Sequence, residues 1–266
     1  KPRSHRVFHA KLKDAQDAGG KQSHKCTMVF TEGDSAVSFM GKGLKGIPNE
    51  EHRYWGWFPL GGKLLNVRDA TVKQLASNEE IAMIKKIIGL QEGKDYSKSI
   101  DGLRYHRIMV LTDADNDGYH IKGLVMNYIG HYWPSLLKHK GFVCDFATPI
   151  KKAYKCDNRG QRSNEIEFYS EDEYLEWVKK NPSNGWDLQY YKGLGSYEPT
   201  DARKFCKNML VTEYCWDSKI IESEGEKAES SKLKFDLAFE KKDKDKKIKK
   251  YSDRRKEWLN NGIDPK

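Results

Sequence analysis

The sequence contains no apolar run long enough to cross a bilayer and no apolar leader ahead of a cleavage site. We therefore expect neither a membrane protein nor a secreted precursor. With 37% hydrophobic and 33% charged residues, the 266-residue chain has the composition of a soluble globular protein with a polar excess. Its length allows one large domain or two small ones. The chain opens with Lys-Pro-Arg-Ser, which suggests a piece of a longer protein.

Cysteine is scarce and irregularly placed. The count is odd and no C-x-x-C pair occurs, which argues against a disulfide scaffold and a zinc ribbon and favours reduced intracellular thiols. The five cysteines are Cys26, Cys144, Cys156, Cys206 and Cys215.

Positive charge is concentrated near the C-terminus. Residues 241–256 contain ten Lys or Arg against three Asp, so this segment carries a net +7 of the formal +9 of the chain. A basic terminal segment suits a polyanion, and the alternative is a solvated helix or linker.

The most informative stretch is Leu-Thr-Asp-Ala-Asp-Asn-Asp-Gly-Tyr-His at residues 111–120. It follows an apolar run, 108–111, that predicts a buried strand. Side chains two apart in an extended chain point the same way, so Asp113 and Asp115 can present oxygens to one point beyond the strand. Gly118 is then expected to turn the backbone into a new element. Carboxylates this crowded stay ionised only around a cation, and oxygen ligands favour Mg²⁺ over Zn²⁺.

Other interpretations of this stretch are weaker. Acidic residues at a strand end often form a solvated loop, but three alternating aspartates make that less probable. An EF-hand calcium loop needs a glutamate at its twelfth position and a helix in front, whereas here the position is Leu124 and the preceding segment is strand-like. A phosphate-binding P-loop is also absent, because Gly41, Gly43 and Gly46 lack its spacing.

A second acidic strand end occurs earlier in the chain. The β-prone run 26–30 leads into Thr-Glu-Gly-Asp-Ser-Ala at 31–36, and a helix is predicted over 35–45. Ligands collect at the carboxyl ends of strands in open α/β sheets. Glu32 and Asp113 would therefore meet if their strands are parallel neighbours. A lone glutamate at such a position is structural about as often as functional.

The remaining patterns predict alternating strands and helices. A Ser170–Glu173 capping box marks the start of one helix. Tyr105, although it follows an arginine, is interpreted as the lead-in to a strand. Helices are predicted over 9–17, 75–90, 121–138 with a reset at Pro134, 171–180 and 200–209, and strands over 54–60, 104–111, 141–150, 165–169 and 186–191.

Four motifs in this order resemble the type IIA DNA topoisomerases at their Toprim domain, across about 170 residues. They are the Thr-Glu-Gly-Asp-Ser-Ala motif, Pro-Leu-Gly-Gly-Lys-Leu-Leu-Asn-Val-Arg at 59–68, the aspartate stretch, and Tyr-Tyr-Lys-Gly-Leu-Gly at 190–195. Residues 84–91 and 121–124 are similar to the eukaryotic and large-virus branch. The resemblance implies an α/β Toprim fold with a Rossmann-like, mainly parallel sheet flanked by helices, an α+β insertion and a charged C-terminal extension.

The same resemblance implies a domain organisation. We expect an N-terminal lead-in at 1–22, a Toprim metal-binding core at 23–154, and an α+β extension carrying the Lys-Gly-Leu-Gly segment at 155–217. Residues 218–266 would form a basic helical linker toward a winged-helix domain outside this sequence.

For function, the resemblance implies reversible double-strand DNA cleavage and religation, in which a tyrosine of another domain attacks a phosphodiester. It implies one or two Mg²⁺ ions, with Mn²⁺ or Ca²⁺ able to substitute. Glu32 and Asp113 are assigned to the ion at the scissile phosphate, and Asp115 and Asp117 to a second ion. Glu32, Asp113 and Asp115 are the predicted catalytic residues.

Other residues take supporting roles in this hypothesis. Asp34 and His120 are predicted to support the metal ligands from outside. The predicted DNA contacts are Lys63, Asn66, Arg68, Lys192 and Gly193, with simple surface charge as the alternative for Arg68.

The implied partners are double-stranded DNA and a second copy of the full-length protein, with no membrane, and ATP only in an ATPase domain outside these residues. A nuclear location is expected, or a viral factory or virion for a large-virus protein. This chain alone is not expected to relax DNA. Two alternatives remain, a stand-alone Toprim nuclease or primase-like enzyme, and a non-catalytic nucleic-acid-binding module that uses the basic segment.

Overall fold

The computed structural model describes residues 6–181, 185–223, 226–240 and 251–260. Its strands are β1 Thr27–Glu32, β2 Trp55–Leu60, β3 Arg107–Leu111, β4 Val143–Ala147, β5 Lys151–Cys156, β6 Arg162–Phe168, β7 Asp187–Tyr190, β8 Leu210–Glu213, β9 Ile220–Ser223 and β10 Glu226–Glu229. Its helices are α1 Gly33–Gly43, α2 Val72–Ala76, α3 Glu79–Ile88, α4 Asn116–Tyr132, α5 Pro134–Leu137, α6 Glu171–Lys180, α7 Pro199–Lys207, α8 Ser230–Phe239 and α9 Tyr251–Asn260.

The central sheet has the strand order β2-β1-β3-β4-β8. The first four strands are parallel, and β8 runs antiparallel to β4. β1 and β3 are buried on both faces, which explains why their sequences are continuous apolar runs instead of alternating ones. The predicted α/β fold with a mainly parallel, helix-flanked sheet is confirmed.

Side chains from the two faces of the sheet form separate cores. Phe30 packs on one side with Val125 of α4, whereas its neighbour Val29 packs on the other side with Phe39 of α1. Burying such a side chain stabilises the fold by roughly 1.5–3 kcal/mol. Because these cores fix α1 and α4 against β1 and β3, they also fix the turns that join each strand to its helix.

A smaller antiparallel sheet, in the order β6-β5-β7, follows the central one. The predicted helix 171–180 is α6, and its capping box is present because Ser170 and Glu173 exchange hydrogen bonds between side chain and backbone. Strand β5 was missed by the sequence analysis. Its sequence, Lys-Lys-Ala-Tyr-Lys-Cys, is typical of a solvent-exposed segment. Lys152 is nevertheless only 1% exposed, and its ammonium forms a buried ion pair with Asp201.

The helix predicted over 9–17 is wrong. This segment runs beside β2, where Lys13 and Trp57 exchange two backbone hydrogen bonds of 3.0 and 2.9 Å. Asp14 accepts a 2.5 Å hydrogen bond from the hydroxyl of Tyr105 and forms an ion pair with Arg104. These partners lie some 90 residues away along the chain, so tertiary contacts decide the conformation of this polar segment. Tyr105 itself is buried ahead of β3, as the sequence predicted.

Two helix boundaries also differ from the prediction. The segment 75–90 forms two helices, because the Asn78 side chain accepts a hydrogen bond from the backbone N–H of Ile81 and starts α3 anew. The helix expected from residue 121 begins at Asn116, and it ends before Pro134 as expected. In the part of the chain that the structure describes, no helix is long and apolar enough to cross a membrane.

Candidate active site

The carboxyl ends of β1 and β3 lie side by side. The strands are parallel neighbours in which Thr31 pairs with Leu111. The backbone N–H of Asp113, two residues beyond β3, donates a 3.2 Å hydrogen bond to Oε2 of Glu32. The predicted meeting of these two residues is therefore confirmed.

The first turn of α4 holds the other two carboxylates of the aspartate stretch. Asp115 is the N-cap, and its Oδ1 accepts a 2.8 Å hydrogen bond from the backbone N–H of Gly118. Asp117 lies in the first turn, where negative charge is favourable. Gly118 lies within the helix and is not the turn that the sequence suggested. A Cβ there would lie 2.1 Å from the backbone oxygen of Asp113, so close packing requires glycine.

Negative charge at this edge of the sheet is only partly balanced. Burial raises the pKa of Glu32, and repulsion from Asp113, Asp115 and Asp117 raises it further, although the hydrogen bond from the Asp113 N–H opposes the rise. By contrast, the Lys63 ammonium, 2.8 Å from Asp117, lowers the pKa of that carboxyl. The carboxylates around Glu32 therefore form a site that favours an added cation.

The Lys-Gly-Leu-Gly segment lies against Asp113. The backbone N–H of Leu194 donates a 2.8 Å hydrogen bond to Oδ1 of Asp113. Gly193 is so close that a Cβ there would lie 2.8 Å from Oδ2 of the same carboxylate. Lys192 is exposed and takes part in none of the ion pairs found among the described residues. This segment thus combines a main-chain contact to Asp113 with an exposed positive charge.

Two of the predicted DNA-contacting residues, Asn66 and Arg68, bond to other parts of this chain. The Arg68 side chain is 6% exposed, forms an ion pair with Asp236 of α8, and donates a 2.6 Å hydrogen bond from Nε to Asn127 of α4. Asn66 donates a 2.6 Å hydrogen bond to the backbone oxygen of Phe239. In this structure, Asn66 and Arg68 therefore hold α8, and the Arg68 guanidinium is buried while Asn66 is half-buried. The partners lie about 170 residues later in the chain, so local sequence gave no sign of this role.

The predicted outer supports lie at the rim of the site. Asp34 and His120 are both exposed, and His120 contributes to the lowered pKa of Asp117. Asp34 and Glu32 line a cleft of about 310 Å³ together with Lys11. The sequence did not indicate Lys11, because its segment was predicted as a helix and reaches the cleft only by pairing with β2.

The chemistry of the donors suits a hard divalent cation. Within the described ranges, no three His, Cys, Asp or Glu side chains are close enough, as oriented, to hold a metal ion. All four candidate ligands are nevertheless carboxylates. The pKa of Glu32 is raised by burial and then by the neighbouring carboxylates, and a bound cation would oppose both effects. Asp115 and Asp117 are exposed, so staggered rotamers other than the present ones are open to them. The residues therefore fit Mg²⁺ better than a softer metal.

Comparison with known families agrees with this architecture. Residues 27–149 match the Toprim domain, and residues 146–265 match the C-terminal associated domain of TOPRIM. The mainly parallel sheet with acidic residues at the ends of β1 and β3, together with these two matches, defines a Toprim domain followed by its associated C-terminal domain.

Similar proteins specify the family more closely. A DNA topoisomerase 2 of Acanthamoeba polyphaga mimivirus is 48% identical over 80% of this chain and 17% of its own length. The Arabidopsis thaliana DNA topoisomerase 2 is 41% identical over 97% of this chain and 16% of its own length. Among solved structures, the DNA-binding, cleavage and re-ligation domain of Plasmodium falciparum topoisomerase II superposes with a TM-score of 0.81 at 39% identity, covering 98% of this chain and 32% of that chain.

This chain belongs to the type II DNA topoisomerase family, as a Toprim-containing portion of such an enzyme. It spans less than a fifth of the length of these two curated relatives.

Proposed function

We propose that this chain supplies the Mg²⁺-binding half of a DNA cleavage and religation site in a full-length, ATP-dependent type II topoisomerase. One observation carries the proposal: Glu32 contacts Asp113 across two parallel strands, with Asp115 and Asp117 in the adjacent helix turn. In such sheets, ligands bind at the carboxyl ends of the strands, where these acidic side chains lie.

The proposed ligands divide into two pairs. Glu32 and Asp113 would hold the ion nearest the scissile phosphate, and Asp115 and Asp117 would hold a second ion. Bound Mg²⁺ would offset charge on the phosphoryl oxygens and on the leaving oxygen of the DNA. Mn²⁺ and Ca²⁺, which also accept oxygen ligands, are expected to bind the same residues.

The surrounding residues of this chain would orient the ligands and the DNA. The Leu194 N–H holds one oxygen of Asp113, which leaves the other oxygen for a cation. Lys63, which pairs with Asp117, and Lys192, which precedes the Gly193 beside Asp113, are exposed and would contact DNA phosphates. We place Asp34 and His120 as outer supports. Asn66, which is half-buried, stays a proposed DNA contact, whereas Arg68 is not proposed as one because its side chain is buried.

The other groups that the proposed reaction needs would come from outside these residues. The attacking tyrosine would come from another domain, ATP would bind in an ATPase domain, and two copies of the full-length protein would act on double-stranded DNA. A nuclear location, or a viral factory or virion for a large-virus protein, follows from the same proposal. The relatives named DNA topoisomerase 2, from a plant and from mimivirus, support it.

The test is a pair of substitutions in the full-length enzyme. We expect Glu32→Gln and Asp113→Asn each to lower Mg²⁺-dependent DNA cleavage by about 100-fold or more, because each removes charge that holds the ion. Glu50→Gln serves as a control, since Glu50 is exposed on the short helical segment Asn49–Tyr54. Unchanged cleavage by either site variant would refute the role assigned to that residue.

The two alternative functions predict different results from this chain alone. Mg²⁺-dependent nicking of DNA by the isolated chain would support a stand-alone nuclease. Complete loss of DNA affinity on removal of residues 241–256 would support a non-catalytic binding module, although residues 241–250 lie outside the described residues. We do not expect nicking by the isolated chain, because the attacking tyrosine would come from another domain. We do not expect complete loss of DNA affinity either, because Lys63 and Lys192, outside residues 241–256, would still contact DNA.

A further inference from the structure

A buried group of three polar residues lies behind the Lys-Gly-Leu-Gly segment. Nζ of Lys152, on β5, lies 2.8 Å from Oδ1 of Asp201, on α7. The hydroxyl of Tyr191 donates a 2.8 Å hydrogen bond to Oδ2 of the same aspartate. Burial, together with Asp201, raises the pKa of Tyr191 above its usual value, so the hydroxyl remains protonated and donates. The three residues therefore form one connected hydrogen-bonded group.

Such a group is costly to bury and is a weak source of stability. Removing an ammonium and a carboxylate from water costs several kcal/mol per ion, and apolar residues of similar size often serve stability equally well. However, the group also holds one particular side chain in place. The group fixes Tyr191, whose ring stacks on Tyr197 at 4.1 Å and whose N–H donates a 3.0 Å hydrogen bond to Ile150.

Tyr191 directly precedes the segment that contacts Asp113. Three residues later, the N–H of Leu194 donates its 2.8 Å hydrogen bond to Oδ1 of Asp113. The chain between them includes Gly193, where no space remains for a Cβ beside the carboxylate. A shift in Tyr191 would therefore move the N–H that holds Asp113.

We propose that Lys152, Asp201 and Tyr191 are positioning residues that set the orientation of the Asp113 carboxylate through the Lys-Gly-Leu-Gly backbone. This inference rests on the proposed function, in which Asp113 holds a divalent ion. By fixing one carboxylate oxygen, the group leaves the other free for that ion. Groups that orient a metal ligand typically affect metal affinity by 10- to 100-fold.

The chain offers a matched control at the opposite end of β3. There the hydroxyl of Tyr105 donates to Asp14, which is paired with Arg104, so a buried tyrosine again bonds a carboxylate held by a cation. Tyr105→Phe and Tyr191→Phe each remove one such hydroxyl. Only Tyr191 connects to the segment beside Asp113.

The experiment measures Mn²⁺ binding to the full-length enzyme without nucleotide by electron paramagnetic resonance, and thermal unfolding of the same samples. We expect Tyr191→Phe to raise the Mn²⁺ dissociation constant about 10-fold and Tyr105→Phe to leave it unchanged. Tyr105→Phe should lose at least as much thermal stability, because the Tyr105 hydroxyl also accepts a 2.8 Å hydrogen bond from the buried Ala15 N–H. Asp201→Asn, which keeps the side-chain size, should match Tyr191→Phe and provides a second variant if the first fails to fold.

Two results would overturn the inference. Equal Mn²⁺ affinities for both tyrosine variants and the unmodified enzyme would show that the group is only structural. Asp113→Asn, measured alongside, tests the proposed function separately. If that variant binds Mn²⁺ as tightly as the unmodified enzyme, Asp113 is not a ligand, and the proposed function and the positioning role both fail.

Discussion

Two glycine-containing loops flank the carboxylates, and they reach them in different ways. The loop at 61–68, after β2, sends the Lys63 side chain to Asp117. The loop at 192–195, after β7, contacts Asp113 through the backbone N–H of Leu194. A side-chain contact can be removed by one substitution, whereas a backbone contact changes only if the loop itself moves. The contact between the second loop and Asp113 therefore depends more on the residues that pack behind the loop and hold its backbone in place.

The two loops also differ in how they are anchored. Asn66 and Arg68 tie the first loop to α8, near the C-terminal end of the chain. Tyr191 ties the second loop to Asp201 on α7. The first anchor therefore connects the candidate site to α8, and the second connects it to α7 and, through Lys152, to the smaller sheet.

The largest expected effect is on the anchor of the first loop. Arg68→Met should lower the free energy of unfolding of this chain by about 3 kcal/mol, because it removes the buried partner of Asn127 and leaves Asp236 paired only with the exposed Lys232. Denaturant titration measures this loss. Lys85→Met, which removes an exposed ion pair with Glu92, should cost under about 1 kcal/mol. Equal losses would mean that Arg68 does not anchor the loop.

The second loop is tested by crowding its backbone. Gly193 has an extended backbone, φ 176°, that any residue adopts, so Gly193→Ala acts only through the 2.8 Å approach of its Cβ to Asp113. We expect a Mn²⁺ dissociation constant about 10-fold higher. In Gly195→Ala, the Cβ would meet Ser35 at 3.4 Å, an ordinary contact, so affinity should be unchanged. A normal affinity for Gly193→Ala would contradict the proposed contact.

DNA binding should separate the lysines from the arginine. Lys63→Gln and Lys192→Gln should each lower the slope of log binding constant against log salt concentration by about 1, because each removes a phosphate contact. Arg68→Gln should leave the slope unchanged, since its side chain is buried. A lower slope for Arg68→Gln would restore the DNA contact that the sequence suggested.

The smallest expected effect is the pH dependence caused by Glu32. Its pKa is raised above the ordinary 4.5 in the folded chain, so the folded state holds this proton more tightly than the unfolded state. The resulting stability is present below about 4.5 and is lost as pH rises through the folded pKa. The melting temperature of the chain should therefore fall relative to Glu32→Gln as the pH rises above about 4.5. A constant difference would show that burial and the neighbouring carboxylates do not raise the pKa of Glu32.

Much of the candidate site could be predicted from local sequence. The apolar runs before Glu32 and Asp113, and the small and acidic residues after them, indicate two strand-turn-helix units, and both are present as β1–α1 and β3–α4. The sequence also predicted that Glu32 and Asp113 meet if their strands are parallel neighbours, and the structure fulfils that condition. The sequence did not predict that Asn66 and Arg68 hold α8, because the position of a residue in a motif does not show which surface its side chain faces.

The sequence by itself determined the buried strands, the helix caps and the placement of carboxylates at strand ends, because periodicity and capping depend on neighbouring residues. Only the tertiary structure decided that β8 joins the central sheet, that Lys152 is buried, and that Arg68 pairs with a residue 168 positions away. The partner of a buried charge depends on which distant segment packs beside it. That choice is made by the whole fold.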